Sequence, residues 1–248
     1  INGAKVIFFD LNEEDGEKTE SELNVQFDKC VTFFKGSVSS KKDNEKVVNL
    51  AISKYGRLDI LCANAGIYPL TWIKDITEKE WDEVININLK GPFLLLQSAL
   101  NHFMQNKYGK VIFTSSITGT IVSASGHAHY AATKSGLMGL VKTAAVELSQ
   151  YNININAIVP GNVMSDGMKL ERGDEYIKSQ AKSIPLGRLA STDEIGKLVS
   201  FLASDEASYI TGQGITIDGG QTIPENPDEL IEILKTDSRP VTIAGAGT

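Results

Sequence analysis

Short runs rich in β-branched and aromatic residues alternate with longer amphipathic stretches along most of the chain, and this alternation limits the fold more than any other feature. The runs lie at residues 5–10, 31–34, 58–63, 110–114, 153–158 and 214–218. Most are close to continuously apolar, the pattern of a strand covered on both faces. Between them, apolar residues recur at helical spacing over residues 12–23, 40–55, 77–106, 130–151 and 192–203. Strand–helix alternation of this kind predicts an α/β fold with a doubly wound parallel sheet in a three-layer αβα arrangement, built as a single domain. The chain of 248 residues is long enough for one large domain of that class. In open parallel sheets ligands bind beyond the carboxyl ends of the strands. The residues that follow each run are therefore the candidates for chemistry.

Bulk properties exclude several function classes. A formal charge of −7 with no basic cluster argues against a nucleic-acid partner. No apolar run approaches the roughly 20 residues of a membrane span, so no membrane partner is expected. The start, Ile1-Asn2-Gly3-Ala4-Lys5, lacks the pattern of a secretory signal, and a cytoplasmic location is expected. Cys30 and Cys62 fit no metal-ligand spacing and are expected to be reduced thiols in or near the core. No metal site is expected.

Tyr130 and Lys134 stand four residues apart at the head of a helical pattern continued by Leu137, Leu140, Val141, Ala144, Ala145 and Leu148. Residues i and i+4 share a helix face, so the phenol and the ammonium can address one small volume. A free phenol has a pKa of about 10 and is a poor proton exchanger at neutral pH. A fixed cation beside it favours phenolate. Such tuning would let Tyr130 exchange a proton with an alcohol or a ketone. The same spacing also arises from a half-buried ring next to a solvated amine.

Several further segments line up with this pair. Ala63-Asn64-Ala65-Gly66 follows a strand; Asn86-Ile87-Asn88-Leu89-Lys90-Gly91 lies in a helix; Thr114-Ser115-Ser116-Ile117-Thr118-Gly119 ends a strand. Pro160-Gly161-Asn162-Val163, Ile210-Thr211-Gly212-Gln213 and Asp218-Gly219-Gly220 follow later. With Tyr130-Ala131-Ala132-Thr133-Lys134 these motifs, in this order, make residues 1 to about 224 resemble the short-chain dehydrogenase/reductase family. The resemblance implies a Rossmann-like fold and a catalytic tetrad. Tyr130 would be the acid–base, and Lys134 would lower its pKa and hold the nicotinamide ribose. Ser116 would hydrogen-bond the substrate oxygen, and Asn88 would hold a water linking Lys134 to solvent. Of the two adjacent serines, Ser116 fits the family's frame and Ser115 reads as a strand-end residue.

The resemblance also implies a set of cofactor contacts. Asn64, Ala65 and Gly66, then Pro160, Gly161 and Val163, would border the nicotinamide, with Ser165 at the position of a carboxamide contact. Ser37 and Val38 would border the adenine, although the family usually has Asp where Ser37 stands. Asp10 ends the second strand of the family's scheme. A carboxylate there accepts from a ribose 2′-hydroxyl and repels a 2′-phosphate, and neither Leu11 nor Asn12 is basic. NAD is therefore the expected cofactor rather than NADP. His127 and His129 flank Tyr130 as candidate donors to a hydroxylated substrate or as surface residues. Residues 163–189 would form the substrate lid.

The implied substrate is a small-molecule secondary alcohol or ketone, and the polar lining favours a sugar, polyol or small hydroxy-ketone. The alternatives are an acyl-thioester 3-ketoreductase using the same tetrad and a non-catalytic nucleotide-sensing protein on the same fold. A homotetramer is implied, with the apolar helix around Phe93, Leu94, Leu95 and Leu96 as an interface. The segment Arg239-Pro240-Val241-Thr242-Ile243-Ala244-Gly245-Ala246-Gly247-Thr248 reads as a strand and the opening of a glycine-rich turn. Such a turn lets backbone approach a pyrophosphate, which makes Gly245 and Gly247 cofactor-binding candidates. Residues 239–248 are expected to be the displaced first strand of the domain, with most of the next helix absent or omitted. Residues 225–238 are expected to form a short helical tail or linker, and residues 1–224 the main part of the domain.

Overall fold

The computed structural model describes residues 3–27 and 29–225. The order is β1 (Val6–Asp10), α1 (Glu13–Gln26), β2 (Val31–Lys35), α2 (Lys41–Tyr55), β3 (Ile60–Ala63), α3 (Glu78–Ile85), a π-helical turn (Asn86–Lys90), α4 (Gly91–Asn106) and β4 (Gly109–Thr114). There follow the short α5 (Ile117–Thr120), α6 (Ala128–Leu148), β5 (Ile153–Pro160), β6 (Val163–Met164), α7 (Asp166–Lys182), β7 (Ala190–Ser191), α8 (Thr192–Leu202) and β8 (Gly214–Ile217). All ladders are parallel: β1 with β2, then β3-β4-β5-β8 as one sheet, then β6 with β7.

Strand periodicity makes the layers. Val111 and Phe113 of β4, with Ile153, Ile155 and Ala157 of β5, point to one face, where α2, α4 and α6 cover them. Ile112 and Ile158 point to the other, against Leu202 and Leu198 of α8. Ile7, Phe9 and Phe34 of the β1–β2 pair lean on the first cluster together with Leu61 and Ala63 of β3. On the second face Phe33 meets Phe8 at 5.3 Å and packs against Gly16 of α1. This is the three-layer parallel α/β architecture expected. Among the described residues no ladder joins β1 to β3. The segment 239–248, with Gly245 and Gly247, lies outside the described residues, as does nearly all of 225–238.

Three expectations need correction. The stretch 77–106 is not one regular helix: Thr77 caps α3 with its side chain, and the π-helical turn separates α3 from α4. Leu94, Leu95 and Leu96 are buried within this chain's own core, and only Phe93 of that run is exposed. Cys62 is exposed rather than part of the core, and both cysteines are free. Among the described residues, no helix is long and apolar enough to cross a membrane and no cluster of acidic, histidine or cysteine side chains could hold a metal ion.

Candidate active site

The carboxyl ends of β3, β4 and β5 bring the expected residues to one place. β4 ends at Thr114, and the two serines after it diverge. Ser115 is buried and donates to the Lys134 carbonyl at 2.9 Å, tying the strand end to α6. Ser116 caps α5, its hydroxyl accepting from the Thr118 N–H at 3.1 Å, and that hydroxyl lies near enough to the Tyr130 phenol to pull its pKa down. Two hydroxyls from different elements thus meet at one point. A carbonyl or alkoxide oxygen there receives two O–H donors, the arrangement that stabilises charge developing on oxygen.

The backbone that holds Ser116 depends on Gly119. Its φ is +94°, and a Cβ there would fall 2.3 Å from the Ala131 carbonyl oxygen. The loop after β4 therefore lies directly on the first turn of α6, one residue past Tyr130. The Ser135 hydroxyl donates to the Gly119 carbonyl and fastens the same contact.

Lys134 is buried, and its Nζ donates to the Thr114 carbonyl at 2.7 Å while lying 5.4 Å from the Tyr130 ring centroid. Burial pushes its pKa down to about 8. In this structure burial, rather than Lys134, sets the direction of the phenol's shift. Burial raises Tyr130, and the opposing influence is the Ser116 hydroxyl. A phenol out of water resists ionising, and an ammonium out of water resists being charged, so burial favours the neutral form of both groups.

Asn88 sits in the π-helical turn and is fully buried. Its side chain accepts from the Ile67 N–H at 2.8 Å and donates to the Ile67 carbonyl at 2.7 Å. That pair of bonds pins the loop after β3 to the α3–α4 junction. A π turn widens the helix and re-aims one side chain, a device frequent at functional sites. A Cβ on Gly66 would lie 3.4 Å from the Asn88 Oδ1 and 3.7 Å from the Lys134 Nζ, so these two polar atoms flank one point of backbone. Asn64 joins the same group, its Oδ1 accepting from the Thr114 hydroxyl at 2.9 Å; Ala65 lies between it and Gly66, exposed.

Other predicted positions lie around this centre. Pro160 ends β5, and Gly161 donates to the Ile217 carbonyl at 3.0 Å, where a Cβ would fall 2.7 Å from the Gln221 Oε1. Val163 opens β6, and Ser165 follows it, partly buried. Asp10 ends β1 exposed, its Oδ1 accepting from the Asn12 N–H at 2.9 Å. Opposite it in the ladder, Lys35 is held by Glu13 at 2.6 Å. The Ser37 N–H donates to the Asp43 carboxylate at 3.4 Å, a bond that holds Asp43 below the usual carboxylate range, and Val38 packs on Gly91.

Sequence reasoning missed Glu80, Thr71 and the burial of His129. His129 is not a surface donor: it is fully buried and bonded to Glu80 at 2.9 Å. The one available sign was its place directly before Tyr130.

Comparisons agree with this geometry. A family model described as enoyl-(acyl carrier protein) reductase matches residues 1–222. The chain is 38% identical over 232 residues to oxidoreductase UcpA of Salmonella typhimurium, covering 91% of this chain and 88% of that one. It is 37% identical to trans-4-hydroxycyclohexanecarboxylate dehydrogenase of Sinomonas cyclohexanicum, covering 91% and 86%. It is 38% identical to 3-oxoacyl-[acyl-carrier-protein] reductase FabG of Thermotoga maritima, covering 89% of each. The crystal structure of levodione reductase superposes with a TM-score of 0.84 at 32% identity, covering 89% of each chain. With a family model spanning nearly its whole described length and close relatives on every side, this chain belongs to the short-chain dehydrogenase/reductase family of oxidoreductases.

Proposed function

We propose that this chain catalyses NAD(H)-dependent hydride transfer between nicotinamide and a secondary alcohol or ketone, with a sugar, polyol or small hydroxy-ketone as substrate. The observation that carries the proposal is the meeting of Ser116 and Tyr130 beside the buried Lys134.

The residues present fit a nicotinamide dinucleotide. Gly66 keeps the backbone bare beside Asn88 and Lys134, and Asp10 offers an exposed carboxylate at a strand end. Asp10 and Lys134 would hold the two ribose diols, Ser37 and Val38 would border the adenine, and Gly66, Pro160, Gly161, Val163 and Ser165 the nicotinamide. Bound there, the cofactor supplies or accepts the hydride. In reduction, Tyr130 gives its proton to the substrate oxygen as negative charge develops, and Ser116 donates a second hydrogen bond to that oxygen. Lys134 would then return a proton towards Tyr130, resupplied from solvent through a water held beside Asn88. In oxidation the same groups run in reverse, with Tyr130 as base.

Protonation gives a directional prediction. Reduction uses the neutral phenol, which the raised pKa favours, so its kcat/KM stays level through neutrality. Oxidation uses the phenolate, so its kcat/KM climbs with pH. Profiles in both directions over about pH 6 to 10 test this; an oxidation rate that falls across that range contradicts it.

Cofactor choice rests on Asp10 and on the engagement of Lys35 by Glu13, which leaves the neighbouring ammonium already neutralised where a 2′-phosphate would need it. Asp10→Ser is expected to raise the KM for NADH roughly 10- to 100-fold, the loss of a hydrogen bond to a charged group. Initial rates with NADH and NADPH measure it; an NADPH-preferring wild type overturns the assignment.

Substrate choice has a second observation. Tyr68 influences the Tyr130 phenol, and the same loop after β3 exposes Leu70 and Trp72, with Leu70 packed on Gly126 just before α6. An apolar rim favours a small hydroxy-ketone with some carbon surface over a fully hydroxylated polyol. The acyl-thioester reading draws support from the resemblance to the reductase FabG, while the net charge of −7 disfavours an acidic carrier protein. A panel of cyclohexanone, dihydroxyacetone and an acetoacetyl thioester with NADH separates the readings. Turnover of the thioester alone would replace the proposal with the thioester reductase. We also propose a homotetramer that uses the outer faces of α4 and α6, where Phe93 and Val146 are exposed; light scattering reads its mass.

A further inference from the structure

We propose that Glu80 and His129 form a positioning pair that sets Tyr130 and Asn88 relative to one another. Neither residue belongs to the tetrad, and the pair joins α6, which carries Tyr130 and Lys134, to α3, which starts at Glu78 and leads into the π-helical turn of Asn88.

The chemistry of the link is directional. The Tyr130 backbone N–H donates to the His129 Nδ1 at 2.9 Å. Nδ1 is therefore an acceptor, and the ring proton lies on Nε2. Nε2 donates that proton to the Glu80 Oε1 at 2.9 Å. The first turn of α6 leaves its N–H groups without helical partners, and no side chain caps it at His127. His129 thus satisfies the amide of the catalytic tyrosine itself and passes the hold to α3.

Glu80 gathers further segments. The Thr71 side chain lies near enough to hold its pKa down, and the Thr71 backbone N–H donates to the Gly126 carbonyl at 2.9 Å. The Glu80 backbone N–H is capped by the Thr77 hydroxyl at 3.2 Å. The carboxylate therefore ties the loop carrying Tyr68, the loop leading to Tyr130 and the start of α3. Past the end of α3, Leu89 of the π-helical turn packs so closely on α6 that a Cβ at Gly136 would fall 3.1 Å from it. α3 and that turn are together clamped to α6 at both ends, and the tetrad lies between the clamps. An ångström of misplacement in such a site lowers the rate strongly without touching the reacting atoms.

The inference rests on Tyr130 as the acid–base, and its test separates the two. Glu80→Ala is expected to lower kcat roughly tenfold while leaving the KM for NADH unchanged, and to speed amide hydrogen exchange at Tyr130 in the ligand-free protein. Glu80→Gln keeps an acceptor for Nε2–H and is expected to restore both. If Glu80→Ala does not fold, His129→Asn serves: its Oδ1 can still take the Tyr130 N–H but does not reach Glu80, and the same loss of kcat is expected. A folded Glu80→Ala or His129→Asn with wild-type kcat and wild-type exchange at Tyr130 overturns the positioning role. Tyr130→Phe is measured alongside with cyclohexanone, dihydroxyacetone and the acetoacetyl thioester. An inactive Tyr130→Phe beside a fully active Glu80→Ala removes the positioning role alone, whereas an active Tyr130→Phe removes the acid–base reading beneath it.

Discussion

Tyr130→Phe is expected to lower kcat by roughly 10²- to 10⁴-fold, the contribution of a positioned proton donor, while leaving NADH binding nearly unchanged. One oxygen is removed. The ring that lies 5.4 Å from the Lys134 Nζ remains, as does the backbone amide held by His129. What disappears is the proton source at the point where Ser116 also donates. Ser116 alone gives one hydrogen bond to the developing alkoxide and cannot supply the proton without a partner to reload it. Steady-state rates together with NADH fluorescence titration separate the lost chemistry from lost binding. A rate within tenfold of wild type would mean that another group transfers the proton.

Gly119→Ala is expected to destabilise the fold by roughly 3 kcal/mol, the upper range for forcing atoms into a packed site. Two costs add. The residue sits at φ +94°, a region L side chains rarely adopt, and the new Cβ would lie 2.3 Å from the Ala131 carbonyl oxygen and 2.8 Å from its Cα. Neither atom can swing away, because both belong to the backbone of α6. The loop must lift, and Ser116 moves with it. For a chain of this size about 3 kcal/mol corresponds to a fall of roughly 6 to 12 °C in Tm, which a thermal melt reads directly. Activity should fall further than stability explains, since the shifted segment carries the Ser116 hydroxyl. An unchanged Tm would show that the β4–α5 loop is looser than its contacts indicate.

The outline of the fold was legible because its signal is periodic. Runs such as Val111-Ile112-Phe113 alternate faces in a way only a doubly covered strand requires, and Leu137, Val141, Ala144 and Leu148 repeat as only a buried helix face does. The failures have physical reasons too. A π turn differs from an α turn by one residue in its hydrogen-bond ladder, so Asn86–Lys90 leaves no trace in apolar spacing. The run Phe93 to Leu96 reads as apolar all round whether it covers a neighbouring subunit or its own core, and three of the four residues cover the core. His129 carries a polar label, yet Glu80, distant in sequence, offsets its burial by accepting the Nε2–H hydrogen bond.

The site was legible in part. Ser116, Tyr130, Lys134 and Asn88 were nameable from motif order, and the structure brings them to one end of the sheet. The sign of the Tyr130 shift was not legible, because it depends on how much water the folded loops exclude, and spacing alone encodes only the cation. The glycine-rich turn at Gly245 and Gly247 stays a matter of sequence, outside the described residues.

Under the proposed function a hydride moves between nicotinamide and a carbonyl carbon while Tyr130 supplies the proton. The most direct measurement uses NADH deuterated at C4 on both faces with the best ketone of the panel, followed by mass and NMR analysis of the product. One deuterium per turnover is expected, bonded to the carbinol carbon, with transfer by Tyr130→Phe reduced at least a hundredfold. Alcohol formed without deuterium at that carbon, or undiminished transfer by Tyr130→Phe, would contradict it.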